Sequence, residues 1–127
     1  MQGNKDLSNW RLTQAEECLN AAKILLNANQ YKDATNRSYY CVLHCIRSVL
    51  ALEGIDFKKH TAVISYFREN YVKSAKVEKR LSDIAGDLFW LRGKSDYEDF
   101  FVISKKEVIT QVENAEHFLG QIKLFSK

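Results

Sequence analysis

YKDATNRSYYCVLHCIRSVLALEG, residues 31–54, is the stretch that decides the fold. From Tyr39 to Leu52 it is apolar nearly all round, and no proline interrupts it. Asp33 sits where the first turn of a helix would be, at the end of the macrodipole that favours an anion. Gly54 stands at the place of a C′ glycine, with Ile55 after it for the usual apolar contact. The pattern predicts a helix over about Tyr31–Glu53. A helix apolar on nearly every side has to be surrounded by others, so this one is expected at the centre of a bundle.

Working outward, four more helical segments follow from three- and four-residue spacing. Upstream, Ala15, Cys18, Leu19, Ala22, Leu25 and Leu26 make one apolar face of a helix from about Ser8 to Ala28, broken by Asn27, Asn29 and their polar neighbours. Downstream, a short helix over about Lys58–Asn70 turns Val63, Ile64 and Phe67 inward. A fourth starts near Val77 and carries Val77, Leu81, Ile84, Leu88 and Leu91. The fifth opens on Ser104-Lys105-Lys106-Glu107, a capping-box pattern, and carries Val108, Val112, Ala115, Leu119 and Ile122. This 4-3-4-3 spacing suits nearly antiparallel helices packed side by side. The connection Phe100–Ile103 is apolar for a loop and is expected to lie across the bundle. The fold class is therefore all-α, a single up-and-down bundle of about five helices: one domain over residues 1–127, with its core at about 8–126.

Composition agrees and narrows the classes of function. The chain has 127 residues, no proline and five glycines, and nothing in it alternates as a strand would. No apolar run is long enough to span a bilayer, and Met1 to Ser8 are polar, so neither a membrane segment nor a signal peptide is expected. Three cysteines without a scaffold-like spacing suggest reduced thiols and a cytoplasmic location. A net charge of +3 with both signs interspersed permits an acidic partner such as RNA without demanding one.

Polar residues within the central helix carry the chemistry. Arg37, Tyr40, Cys41, His44 and Ser48 fall on one stripe. Arg37 and His44 are two turns apart, roughly 10 Å along the axis. A cation and an imidazole on one face suit RNA cleavage, the imidazole accepting the proton of a ribose hydroxyl and the guanidinium stabilising charge on the phosphate. The plainer reading makes Arg37 an ion-pair partner of a neighbouring helix and His44 a satisfied core histidine. Arg92 and Asp96 are i,i+4 partners, and an intrahelical ion pair explains them unless Arg92 also faces a cleft. Gly86 and Gly93 inside a helix each cost about 1 kcal/mol relative to alanine, which suggests a close approach at each. Phe89 and Trp90 lie off the apolar stripe and point to a second sticky surface, either a dimer contact or a seat for the Phe100 connection. Cys18, Cys41, His44 and Cys45 are four soft ligands, but positions 44 and 45 point apart and no paired CxxC is present, so buried thiols are expected and no metal. Lys58, Lys59 and His60, with Lys73, Lys76, Lys79 and Arg80, form a modest basic surface.

Ala21-Ala22-Lys23, Tyr31-Lys32-Asp33-Ala34, Arg37-Ser38-Tyr39-Tyr40 with His44, Lys59-His60, and Leu91-Arg92 with Asp96-Tyr97 occur in this order and spacing. Together they make the chain resemble the HEPN-domain family over about Thr13–Lys123. The resemblance implies a helical bundle, usually a homodimer, and a frequent role as the toxin of a two-gene system whose antitoxin is a minimal nucleotidyltransferase. Active members are metal-independent endoribonucleases with no cofactor. Their motif, an arginine followed after four to six residues by a histidine, is shared between subunits. This chain departs from the pattern at Arg92, where Tyr97 stands in place of a histidine. The family's spacing occurs only between Arg37 and His44. These two are the candidate catalytic residues, and Arg92, Tyr40, Lys59 and His60 are candidates for binding nucleotide or RNA. Two functions stay open: a ribonuclease toxin, or a non-catalytic module that dimerises and binds nucleotide, RNA or a nucleotidyltransferase.

Overall fold

α2, Tyr31–Leu52, is the element around which the others assemble in the computed structural model, which describes residues 2–127. Thirteen of its 22 residues are buried, enough that it must be covered on several sides. α1 (Gln2–Asn27), α3 (His60–Phe67), α4 (Arg80–Tyr97) and α5 (Lys105–Phe125) all contact it. Leu43, Ile46, Val49 and Leu50 from α2 meet Leu81 and Leu88 of α4 and Phe118 and Ile122 of α5 in a single core. Three hydroxyls inside α2 are satisfied by its own backbone: Thr35 donates to the Tyr31 carbonyl (3.0 Å), Ser38 to Ala34 (2.9 Å) and Ser48 to Cys45 (2.6 Å). The expected all-α bundle with a buried second helix is what is found, and no strand occurs among the described residues.

Helix ends follow the expected chemistry in some places and tertiary contacts in others. α2 closes as a Schellman motif, with the Ile55 amide on the Leu50 carbonyl (3.0 Å), the Gly54 amide on Ala51 (2.9 Å) and Gly54 at φ +72°. α1 closes the same way, with Asn29 at φ +62° in the C′ place and the Gln30 amide on Leu25 (2.8 Å). α1 begins at Gln2 rather than near Ser8. Its first turns carry no apolar stripe because their contact is polar: the Asn4 side chain lies beside Gly54. α3 is shorter than expected, and the chain widens into a π-turn over Arg68–Val72. That turn holds back the next segment, since the Val77 amide donates to the Tyr71 carbonyl (3.1 Å). α4 therefore starts at Arg80 instead of Val77.

The connection after α4 lies across the bundle only in part. Ile103 is buried and Phe101 half-buried, with its ring edge-on to Trp90 at 6.5 Å. Phe100 and Val102 are 98% and 84% exposed. The close approach expected at the helix-four glycines occurs at Gly86, where a Cβ would meet the Arg68 guanidinium at 2.7 Å, and not at Gly93. Ser104 caps α5 by accepting the Glu107 amide (3.1 Å). The Glu107 carboxylate accepts from Gln111 (3.4 Å), so the reciprocal half of the capping box is absent.

Candidate functional site

Between its ends α2 leaves one half-buried stripe, made of Asn36, Arg37, Tyr40, His44 and Arg47. Steps of three and four from Asn36 and Arg37 keep these residues within about 100° of one another around the axis. Cys41 and Ser48, expected on the same stripe, turn into the core. The stripe is thus narrower than its sequence pattern and almost wholly polar, with cations at 37 and 47.

At the N-terminal end of the stripe two guanidiniums gather on one phenol. Arg37 donates to Asn36 Oδ1 through Nε (3.2 Å) and Nη2 (2.7 Å), and its Cζ lies 5.0 Å from the Tyr40 ring centre. Arg92, from α4, donates to Tyr40 Oη at 3.3 Å, with Cζ at 5.5 Å from the Tyr39 ring, 5.7 Å from Tyr40 and 5.8 Å from Tyr97. Its Nε lies 3.0 Å from Asp96 Oδ2 without the alignment of a hydrogen bond, so the contact is ionic. Attraction of each cation to the electron-rich ring faces offsets the repulsion between them.

His60, in the first turn of α3, is fixed by the buried Tyr39, whose Oη lies 2.9 Å from Nδ1. Burial pushes the Tyr39 phenol up to about 12, so it keeps its proton and donates. Burial, reinforced by Arg47 and Arg92, lowers the His60 imidazole below its ordinary value. Both effects give the same tautomer: Nδ1 accepts and Nε2 carries the proton. The His60 ring stands edge-on to Tyr40 at 5.9 Å, beside the phenol on which Arg37 and Arg92 gather.

His44, one turn further along the stripe, has different surroundings. Burial lowers its pKa to about 4, and the positive charges of Arg11, Arg47 and Arg37 add to the effect in that order. Its Nδ1 is buried and has no hydrogen-bond partner. At neutral pH His44 is an uncharged imidazole in a cationic field, the protonation state a general base requires. It is also a weak base, because a group with so low a pKa holds an accepted proton poorly.

Of the six candidates, the structure brings together Arg37, Tyr40, Arg92 and His60. His44 shares their stripe but lies nearer the charges of Arg11 and Arg47. Lys59 is exposed just before α3, and its side chain does not cap that helix. The thiols of Cys18, Cys41 and Cys45 are free and buried, and burial pushes Cys45 well up. No group of three His, Cys, Asp or Glu side chains able to hold a metal ion occurs among the described residues.

Sequence reasoning missed Tyr39, Arg47, Arg11 and Asp56. Arg47 was legible in principle, three residues past His44 and ten past Arg37 on one helical face. Tyr39 reads as core, and only the fold reveals that its hydroxyl reaches His60. Arg11 and Asp56 arrive from α1 and from the connection before α3, which no spacing within α2 can signal.

The HEPN domain model matches residues 8–124 of the chain. A "UPF0332 protein" of Thermotoga maritima is 33% identical over a region covering 94% of this chain and 89% of that protein. Two proteins of Methanocaldococcus jannaschii, each named "Putative toxin", are 34% and 26% identical. They are matched over 86% and 90% of this chain and over 81% and 78% of their own lengths. Among the described residues no helix is long and apolar enough to cross a membrane. With the family model spanning nearly the whole chain, this protein belongs to the HEPN-domain family.

Proposed function

We propose that this chain is the toxin-type component of a two-gene system and a metal-independent endoribonuclease, active as a homodimer in the cytoplasm and held in check by a nucleotidyltransferase partner. The observation that carries the reading is the pair of guanidiniums, Arg37 and Arg92, gathered on Tyr40 one helical turn from the neutral imidazole of His44. In this reading the arginines take the non-bridging oxygens of a phosphodiester and His44 accepts the ribose 2′-hydroxyl proton. The 2′-oxygen then bonds to phosphorus as the bond to the 5′-oxygen breaks, and that oxygen takes a proton from water. His60 Nε2–H and Tyr40 Oη help to orient the phosphate, and Lys59 contributes positive charge at the rim.

The apolar surface beside this cluster supports pairing of two copies. Trp90, Tyr97, Phe100 and Val102 are all more than half exposed, and Phe100 holds φ +63°. Symmetric pairing through α4 and the following connection would bring a second Arg92 and a second stripe toward the same cleft. The relatives named as toxins support the toxin role.

The second reading is a non-catalytic module that binds nucleotide, RNA or the nucleotidyltransferase partner. What favours it is the low basicity of His44 and the tethering of Arg92 by Asp96 and Tyr40. Incubating the purified protein with RNA in EDTA separates the two. Cleavage lost in His44→Ala and Arg37→Ala, with helicity retained, is the expected result. Cleavage that survives His44→Ala refutes the catalytic assignment, and binding without cleavage in the native protein supports the module. Sedimentation as a monomer across the micromolar range would refute the dimer.

A further inference from the structure

The stripe continues past His44 into a second cationic cluster. Arg11 of α1 and Arg47 of α2 face the same carboxylate, that of Asp56, at 3.7 Å and 3.5 Å. Both arginine side chains are only 17% exposed. Neither contact is a close pair, and the Asp56 carboxylate is already engaged, since its Oδ1 accepts the Phe57 amide at 2.9 Å. Arg47 spends one N–H on the Phe57 carbonyl (3.1 Å), and its buried Nε has no hydrogen-bond partner. Lys58 borders an open surface depression together with Arg47, Asp56 and Phe57. Three cations therefore stand against one carboxylate.

Half-buried guanidiniums in excess of their counter-charges are expensive unless an anion completes them. Structural pairing alone would be served by one arginine per carboxylate at hydrogen-bonding distance. The surroundings also suit a nucleotide. Trp10 carries the Arg11 guanidinium 5.2 Å from its ring centre and is 52% exposed, and Phe57 is 37% exposed. Aromatic faces beside arginines form the stacking platform that a base uses while its phosphate is gripped.

We infer that Arg11, Arg47 and Lys58 form a phosphate-binding seat, separate from the Arg37–Arg92 cluster, that holds the phosphate group of a nucleotide or polynucleotide with Trp10 and Phe57 beside it. The inference does not depend on RNA being cut. If the chain does cut RNA, a phosphate held here also neutralises two of the three charges that depress His44, making it a better base once substrate is seated.

The test uses Trp10 emission in the full-length protein carrying Trp90→Phe, so that Trp10 is the sole tryptophan. Pyrophosphate, AMP and a short oligouridylate are titrated separately. A saturable change is expected with at least one of them. Pyrophosphate or AMP binding as tightly as the oligomer would assign the seat to free phosphates, and preference for the oligomer would assign it to the backbone. Arg47→Gln should weaken binding roughly tenfold, as expected on losing a charge-assisted hydrogen bond. Asp56→Asn retains an acceptor for the Phe57 amide while removing the competing charge, so it should tighten binding. A purely structural cluster would instead lose stability in Asp56→Asn without binding any of the three probes. Absence of saturable binding by the native cluster, or weaker phosphate binding in a folded Asp56→Asn variant, would overturn the inference. Arg37→Gln and Arg92→Gln leave the pyrophosphate and AMP titrations of Trp10 unchanged if the two seats are distinct, so failure of the ribonuclease reading does not remove this one.

Discussion

Protonating His44 should destabilise this protein in acid, and replacing His44 should remove that part of its acid sensitivity. In the unfolded chain a histidine titrates near its ordinary value of about 6.5. In the folded protein burial, followed by Arg11, Arg47 and Arg37, lowers it to about 4. The folded state therefore binds fewer protons than the unfolded state in the window between those values. A group depressed in this way contributes fully above pH 6.5 and progressively less as pH falls toward 4. The fall from about 6.5 to about 4 corresponds to at most about 3.4 kcal/mol. His44 is only half-buried, and water screens part of the repulsion, so about 1–2 kcal/mol is the reasonable magnitude. Urea unfolding of the native protein and of His44→Gln at pH 7 and pH 4.5 provides the assay. Carboxylates and the other histidines contribute equally to both proteins, so the difference between the two pH dependences isolates position 44. The native protein should lose about 1–2 kcal/mol more than the variant over this range. An NMR titration of the imidazole provides a direct check. A folded-state midpoint at 6 or above would refute the account, because it would mean that neither burial nor the arginine field depresses His44.

Two further perturbations test the packing around the site. Asp96→Ala should cost about 1 kcal/mol, since it leaves the buried Nε of Arg92 without its counter-charge, and an unchanged melting temperature would reduce the pair to surface decoration. Ala75→Gly should stabilise by about 0.5–1 kcal/mol, because Ala75 holds φ +61° at the close of the π-turn, where a Cβ is strained. Calorimetry should show a rise of a few degrees, and a fall would mean that this strain is not relieved by glycine.

The fold was legible because its determinants are local. The apolar run of α2, the Gly54 stop and the Ser104 side of the α5 cap each act within a turn or two of their own position, and these perform as expected, while the reciprocal Glu107 half of the capping box does not form. Boundaries failed where a distant contact overrode the pattern. Val77 reads as the first turn of α4, but its amide is held by the Tyr71 carbonyl. The candidate site divided along the same line. Arg37, Tyr40 and His44 share a face because helical geometry is periodic, so the sequence places them on one stripe. Which of them meet Arg92, His60 or Arg11 depends on how α1, α3 and α4 are set against α2. A composition with both charge signs interspersed also conceals that three arginines, 11, 37 and 47, surround one imidazole.

That concentration of positive charge is hard to explain by stability. The core around α2 is apolar, and its buried hydroxyls are satisfied by their own backbone. The one stripe left toward solvent would be most cheaply filled with uncharged polar residues or with lysines whose heads reach water. It carries instead two half-buried arginines that depress a histidine, with further guanidiniums leaning in from α1 and α4. Arginine is the residue suited to planar, bidentate recognition of phosphate, and its charge persists on partial burial, where lysine readily loses its proton. The aromatic rings of Trp10, Tyr39, Tyr40 and Tyr97 beneath these guanidiniums make the arrangement tolerable while no anion is bound. Phosphate along the stripe would relieve the repulsion directly, which is why the central helix of the bundle, rather than a loop, is where anion recognition should be sought.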